Sequence, residues 1–327
     1  MNRRRLVAAA AGGVGALAAP AVLRAQGAAA WPERPVRIVV PYPPGGSNDT
    51  VARLLQPRVQ EILGRSIVVE NRGGASGAVG AGETVRSAPD GYTWLLANDT
   101  VATNDTLMQL PYRAADGFTF CTLVGTCPYA LVTHKDQPYR TLADVIAAAK
   151  ARPETLNYAT TGVGSLAHIS TVLLEQQGGF KLVHVPYRGG GPALQDAVAG
   201  HVPLFMSNIV IILPHIRQGT LRPLGVSSPQ PSRFLPGVPT FASQGFPGFE
   251  SLTYWVLLGP AGIPEPITRR MQAAVAQALA EPAVRARMDE QGADVVASSP
   301  EECAAFVRRE IEKWREVIRV NGIRLEG

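Results

Sequence analysis

From Pro35 onward the chain alternates short β-branched runs with stretches of helical period, and this alternation limits the possible folds more than any other feature. "VRIVVPY" reads as a strand, and "DTVARLLQPRVQEILG" places Val51, Leu54, Leu55, Val59 and Ile62 on one helical face and stops at Gly64. "SIVVE" is the next strand, "AVGAGETVRS" a short helix after a glycine-rich loop, "PDGY" a turn, and "YTWLLA" a third strand. The middle of the chain repeats the pattern: helix "TLADVIAAAKA", strand "LNYAT", helix "SLAHISTVLLEQQ", strand "LVHVPY", helix "PALQDAVAG", strand "VPLFM". Strands that alternate with helices predict an α/β fold with mainly parallel sheets covered by helices on both faces. The C-terminal part is mostly helical, with a capping box at Ser299-Pro300-Glu301-Glu302, and reads as a scaffold packed against the first sheet.

Parallel α/β sheets bind ligands beyond the carboxyl ends of their strands, so the strand-to-helix loops are the places to search. Three are rich in glycine, which lets backbone N–H groups face an anion: loop one, "PYPPGGSND" (41–49); loop two, "TTGVGS" (160–165); and loop three, "YRGGGP" (187–192). In loop two Gly162, Gly164 and Ala167 fit GxGxxA, but a dinucleotide site needs an acid at the end of the next strand, which here ends His184-Val185-Pro186-Tyr187-Arg188. Ser165 and His168 lie three apart on one helical face, as an exported hydrolase could use them, yet no GxSxG elbow supports that role. The plain alternative makes Ser165 a helix cap and His168 a packed first-turn residue.

Composition narrows the class further. The 327 residues are 46% apolar, enough to build one large or two medium domains without disulfide staples. Residues 1–30 run from Arg3-Arg4-Arg5 through an Ala/Gly/Leu/Val stretch to Ala28-Ala29-Ala30, the order of a secretion signal, of the ordinary or the twin-arginine type, cleaved between about Ala25 and Trp31. An uncleaved anchor is the competing reading, but Gly12, Gly13, Gly15 and Pro20 interrupt the apolar run. These thirty residues hold four arginines and no acid, so the formal charge of +5 falls to +1 without them and gives no argument for nucleic acid. Cys121 and Cys127 fall in the strand-like "FTFCTLVGTCPYALVT", where six residues span about 20 Å and cannot close a disulfide. The five histidines show no ligand spacing, so neither a metal nor a cofactor is expected.

Five segments in register, "WPERPVRIVVPYPPGGSNDTVARLL", "VVENRGGASGAVGAGETVRSAPDGYTWLLA", "LNYATTGVGSLAHIS", "VHVPYRGGGPALQDAVAGHVPLF" and "GPAGIPEPI", closely resemble the extracytoplasmic substrate-binding proteins of tripartite tricarboxylate transporters, the Bug family. The resemblance runs from about Trp31 to the C-terminus and implies a two-domain, type II periplasmic binding fold with two interdomain crossover strands. It places the crossings near residues 128 and 252, giving domain one as 31–128 plus 251–327 and domain two as 129–250. It implies a periplasmic, monomeric, non-enzymatic receptor that closes on a small carboxylate and delivers it to the membrane components of a transporter. Presentation of the ligand to a sensor kinase is the alternative.

The same resemblance puts the carboxylate between loops one and two, held largely by backbone N–H groups and water. Carried over by motif, the ligand residues are Gly45, Gly46, Ser47 and Asp49 in loop one; Thr160, Thr161, Gly164, Ser165 and His168 around loop two; and Pro186, Tyr187 and Gly189 beside loop three. Tyr42 and Tyr254 join them as pocket-lining rings, each equally explained as interdomain packing, and Asp49 is as readily a helix-dipole partner. The chain departs from the family where relatives carry an aspartate in a "DLMFDN"-like segment: here "LFMSNIV" offers Ser207 and Asn208. An acid there would suit a ligand's ammonium group, so its absence points to plain di- or tricarboxylates or aromatic carboxylates rather than amino acids.

Overall fold

The computed structural model describes residues 31–325, and the expected secretion signal lies outside the described residues. In chain order the elements are β1 (Val36–Val40), α1 (Ser47–Leu63), β2 (Ile67–Asn71), α2 (Ala78–Val85), β3 (Thr93–Asn98), α3 (Thr100–Leu107) and the long β4 (Phe118–His134). Then come α4 (Leu142–Ala151), β5 (Asn157–Thr160), α5 (Leu166–Gly178), β6 (Val183–Pro186), α6 (Gly190–Val198), β7 (Leu204–Asn208), α7 (Ile209–Arg217) and β8 (Leu221–Val226). The chain finishes with β9 (Leu252–Pro260), α8 (Glu265–Ala280), α9 (Pro282–Glu290), the short β10 (Asp294–Val295) and α10 (Pro300–Val320).

The strands join in the order β2-β1-β3-β9-β4-β7-β5-β6, with β8 and β10 also paired to β4. Parallel pairing occupies the two flanks: β1 runs parallel to β2 and β3, and β5 parallel to β6 and β7. These are the strands whose sequences alternate with helices, and a helical crossover returns each chain in the same direction. Everything between the flanks is antiparallel: β9 pairs with both β3 and β4, and β7, β8 and β10 each meet β4. β4 takes part in both halves, facing β9 as far as Pro128↔Leu252 and facing β7 from Tyr129↔Asn208. At roughly 3.3 Å per residue such a strand is about 55 Å long, enough to run through one sheet and into the next.

Burial follows the periods read from the sequence. Val51, Leu55 and Val59 of α1 are buried, with Leu54 and Ile62 packed at the margin, and Gly64 ends the helix in the left-handed conformation at φ 71°. In α10, Val307, Ile311, Trp314 and Ile318 form a buried stripe against β4 and α3. Its capping box is present: Ser299 Oγ accepts from the Glu302 N–H at 3.1 Å, and Glu302 accepts from the Ser299 N–H at 2.9 Å. With α8 against β4 and α1, the C-terminal helices form the expected scaffold on the first sheet. Cys121, Cys127 and Cys303 are free and buried, and burial lifts the Cys127 thiol to about 12. Among the described residues no helix is long and apolar enough to cross a membrane.

Candidate functional site

Loop one turns from β1 into α1 through Gly45, whose φ of 85° suits glycine, and Gly46 begins the helix with no side-chain cap. The first-turn N–H groups of α1 are therefore not taken by a capping side chain, the condition under which a helix N-terminus can receive an anion. Asp49 reaches backward instead of outward. One carboxylate oxygen accepts from the Gly45 N–H at 2.9 Å, the other from Asn71 Nδ2 at 3.0 Å, and Arg53 Nε lies 3.0 Å from both. Burial pushes the Asp49 carboxyl up, but the hydrogen bonds from Arg53, the Gly45 N–H and Asn71 outweigh it and hold the group below the usual carboxylate range. Asn71 also donates to the Tyr42 carbonyl at 3.0 Å, so this ionised cluster ties the end of β2 to loop one.

Tyr42 makes a second tie. Its hydroxyl donates to Asn98 Oδ1 at 2.6 Å and lies 2.6 Å from Thr100 Oγ1, while Asn98 Oδ1 also accepts from the N–H and hydroxyl of Thr100. Burial raises the Tyr42 phenol well above its ordinary value. The residue between them, Asp99, is fully buried, accepts from Thr253 Oγ1 at 2.5 Å, and is lifted by burial to about 6. Asn98 ends β3 and Thr100 opens α3, a junction without glycine that lacks the mark of loops one to three.

Loop two is built from neutral groups. Thr160, fully buried at the end of β5, accepts from the Gly162 N–H at 3.2 Å and lies 2.7 Å from His184 Nε2. Ser165 caps α5, accepting from the His168 N–H at 3.3 Å, and its hydroxyl donates to the Gly162 carbonyl at 2.7 Å. His168 Nδ1 accepts from the Gly164 N–H at 3.2 Å. The Ser165 proton thus goes to a carbonyl and the imidazole to a backbone amide, an arrangement of cap and turn in place of a nucleophile and its base. The rings of His168 and His184 stack 4.0 Å apart at 5°, with Tyr158 stacked on His184 at 5.1 Å. Burial lowers both imidazoles to about 4, and His168 adds to the effect at His184. The contact between His168 and His184 joins positions on α5 and β6 that nothing in their local spacing links.

Loop three leans on loop two. The Tyr187 N–H donates to the Thr160 carbonyl at 3.1 Å and the Gly189 N–H to the Thr161 carbonyl at 3.2 Å. The Tyr187 hydroxyl turns to Asp196 on α6 at 2.6 Å, and Pro186 is exposed. Gly189, at φ 100°, starts α6 without a side-chain cap. Asn208 is half-buried at the end of β7 with Oδ1 lacking a hydrogen-bond partner, and the Ser207 hydroxyl beside it is fully buried and likewise unpartnered. Tyr254 is fully buried and packs edge-on against Phe306 of α10 with ring centroids 4.9 Å apart. Gly164 marks a close approach between chain segments, since a Cβ there would lie 2.6 Å from Leu325 and 3.1 Å from Leu107 of α3.

Comparison with known proteins bears on this arrangement. Residues 51–323 match the tripartite tricarboxylate transporter family receptor. Protein BugT of Bordetella pertussis is 36% identical over 100% of both chains. Among solved structures, MatC from Rhodopseudomonas palustris with bound malate superposes with a TM-score of 0.76 at 34% identity, covering 88% of this chain and 100% of its own. A second R. palustris protein, with adipate, gives 0.79 at 33% identity, covering 90% and 99%. The mixed sheet clothed in helices agrees with these folds, an α/β architecture of the two-domain, type II periplasmic-binding kind. The chain belongs to the tripartite tricarboxylate transporter receptor family of Bug-type solute-binding proteins.

Proposed function

We propose that the protein captures a small di- or tricarboxylate, or an aromatic carboxylate, between loops one and two and delivers it to the membrane components of a tripartite transporter. The observation that carries this reading is the pair of glycine loops at strand ends, one opening an uncapped helix at Gly46 and the other backed by two neutral imidazoles. Donors of this kind stabilise a carboxylate without a buried cation. The malate and adipate held by the two R. palustris relatives support the same ligand class.

In this reading Gly45, Gly46, Ser47, Thr161, Gly164, Pro186 and Gly189 offer backbone to the ligand or its waters. Tyr42, Asp49, Thr160, Ser165, His168 and Tyr187 brace the loops by the bonds described above. Ser207 and Asn208 meet the part of the ligand away from the carboxylate, and with no acid at either position they favour a ligand without an ammonium group. The two halves that close on it are 31–128 plus 251–327 and 129–250, and the receptor works as a periplasmic monomer. Thermal unfolding with a panel of di- and tricarboxylates, aromatic carboxylates and acidic amino acids tests the reading. A bound carboxylate at a hundred times its dissociation constant adds about 2.7 kcal/mol, whereas a panel in which only amino acids stabilise the protein overturns the ligand class.

A further inference from the structure

His184 is absent from every glycine loop, yet it lies at the centre of the contacts that shape loop two. The Gly164 N–H donates to His168 Nδ1 at 3.2 Å, and a backbone amide cannot reverse that bond, so Nδ1 carries no proton and the neutral ring is protonated at Nε2. Protonating the ring would set N–H against N–H at the residue that makes the left-handed turn into α5, with φ 71°. His184 covers the His168 ring at 4.0 Å and 5°, a face-to-face contact in which two imidazolium ions would repel. Through Thr160 Oγ1, at 2.7 Å, the same His184 also reaches the amide of Gly162. Two imidazoles from different elements thereby fix both glycines of the loop.

We infer that the stacked His168–His184 pair is the positioning element of the carboxylate site, holding loop two in its ligand-receiving shape as long as both rings are neutral. The inference rests on the carboxylate reading above and deepens it: backbone amides, oriented by the pair, provide the attraction, and neither imidazole acts as a cationic partner. The groups packed against the pair are Tyr158 of β5, whose phenol feels Glu175 of α5, and Thr160. Among the described residues neither ring has a carboxylate as a hydrogen-bond or ion-pair partner, and burial lowers both to about 4.

The test combines imidazole nitrogen NMR of the ligand-free protein with carboxylate affinity measured across pH. The spectra should show His168 as the Nε2–H tautomer at neutral pH, with both rings titrating far below free histidine. His168→Gln, which offers an oxygen to the Gly164 N–H, should bind within about threefold of the unsubstituted protein, and His168→Leu should bind about tenfold more weakly. In the His168→Gln, His184→Phe double variant, affinity should fall in acid only as far as protonation of the ligand itself requires. A His168 protonated at Nδ1, titration near pH 6.5, proton uptake on binding at neutral pH, or equal affinities of the Gln and Leu variants would overturn the inference. The spectra need no ligand, so a wrong tautomer or a titration near pH 6.5 overturns the inference even if no carboxylate in the panel binds and the functional reading fails.

Discussion

Loops one and two share a topology, strand to glycine turn to helix, but are held by opposite chemistry. Loop one is fastened by a charge: Asp49 stays ionised among Arg53, Asn71 and the Gly45 N–H. Loop two is fastened by hydroxyls and uncharged rings, Thr160, Ser165, His168 and His184. The lesson is that a glycine turn supplies the conformation, while the surrounding side chains decide which conditions will loosen it. Acid loosens loop two by protonating its imidazoles and loop one by protonating its carboxylate.

Four measurements press on this contrast. The largest effect belongs to Asp49→Ala, which strips the Gly45 N–H and Arg53 of their carboxylate and leaves Asn71 Nδ2 with the Tyr42 carbonyl alone; we expect a loss of about 3 kcal/mol by denaturant unfolding. A loss below about 1 kcal/mol would mean that water replaces the carboxylate freely and loop one is not charge-fastened. Next, Gly164→Ala should cost about 2 kcal/mol, because it adds a clash with Leu325 and Leu107 to the left-handed strain. Gly45→Ala, with open space around its Cβ, should cost about 1 kcal/mol, so equal costs would break the asymmetry. Ser165→Ala should then remove about 1 kcal/mol of capping, and the variant should show ester turnover no different from the unsubstituted protein.

The last effect is read as a slope. His168 and His184 are lowered from 6.5 to about 4, so the unfolded chain binds more protons between those values and their contribution to stability is lost as pH falls through that window. Asp99, raised to about 6, works the other way, its contribution being lost as pH rises through the same range. The quantity to measure is therefore the difference in unfolding free energy between the unsubstituted protein and the His168→Gln, His184→Phe double variant, in which Asp99 cancels. That difference should shrink steadily from pH 6.5 to 4, and a flat difference would remove the distinction between the loops.

Much of the architecture is legible in the sequence, because hydrophobic period and glycine placement are local properties. The α1 stripe, the strand ends before loops one to three and the capping box at Ser299 all follow from neighbours within a few residues. What escapes is pairing at a distance. Asn98 and Thr100 close around Tyr42 across more than fifty positions, and His184 meets His168 across a helix and a strand. Tyr254 shows a different limit: its place beside the second crossing is readable, but the period-two pleat turns its ring under α10, and only the register of β9 on β4 reveals which face that is.

The position of β9 also sets an order of events during synthesis. Residues 252–260 insert between β3 and β4, which leave the ribosome long before them. Until β9 arrives, those two strands present open, apolar edges to a gap that no earlier segment fills, and the pairing that closes it spans more than a hundred residues. The first sheet is thus finished late, by the segment that has the farthest to travel along the sequence.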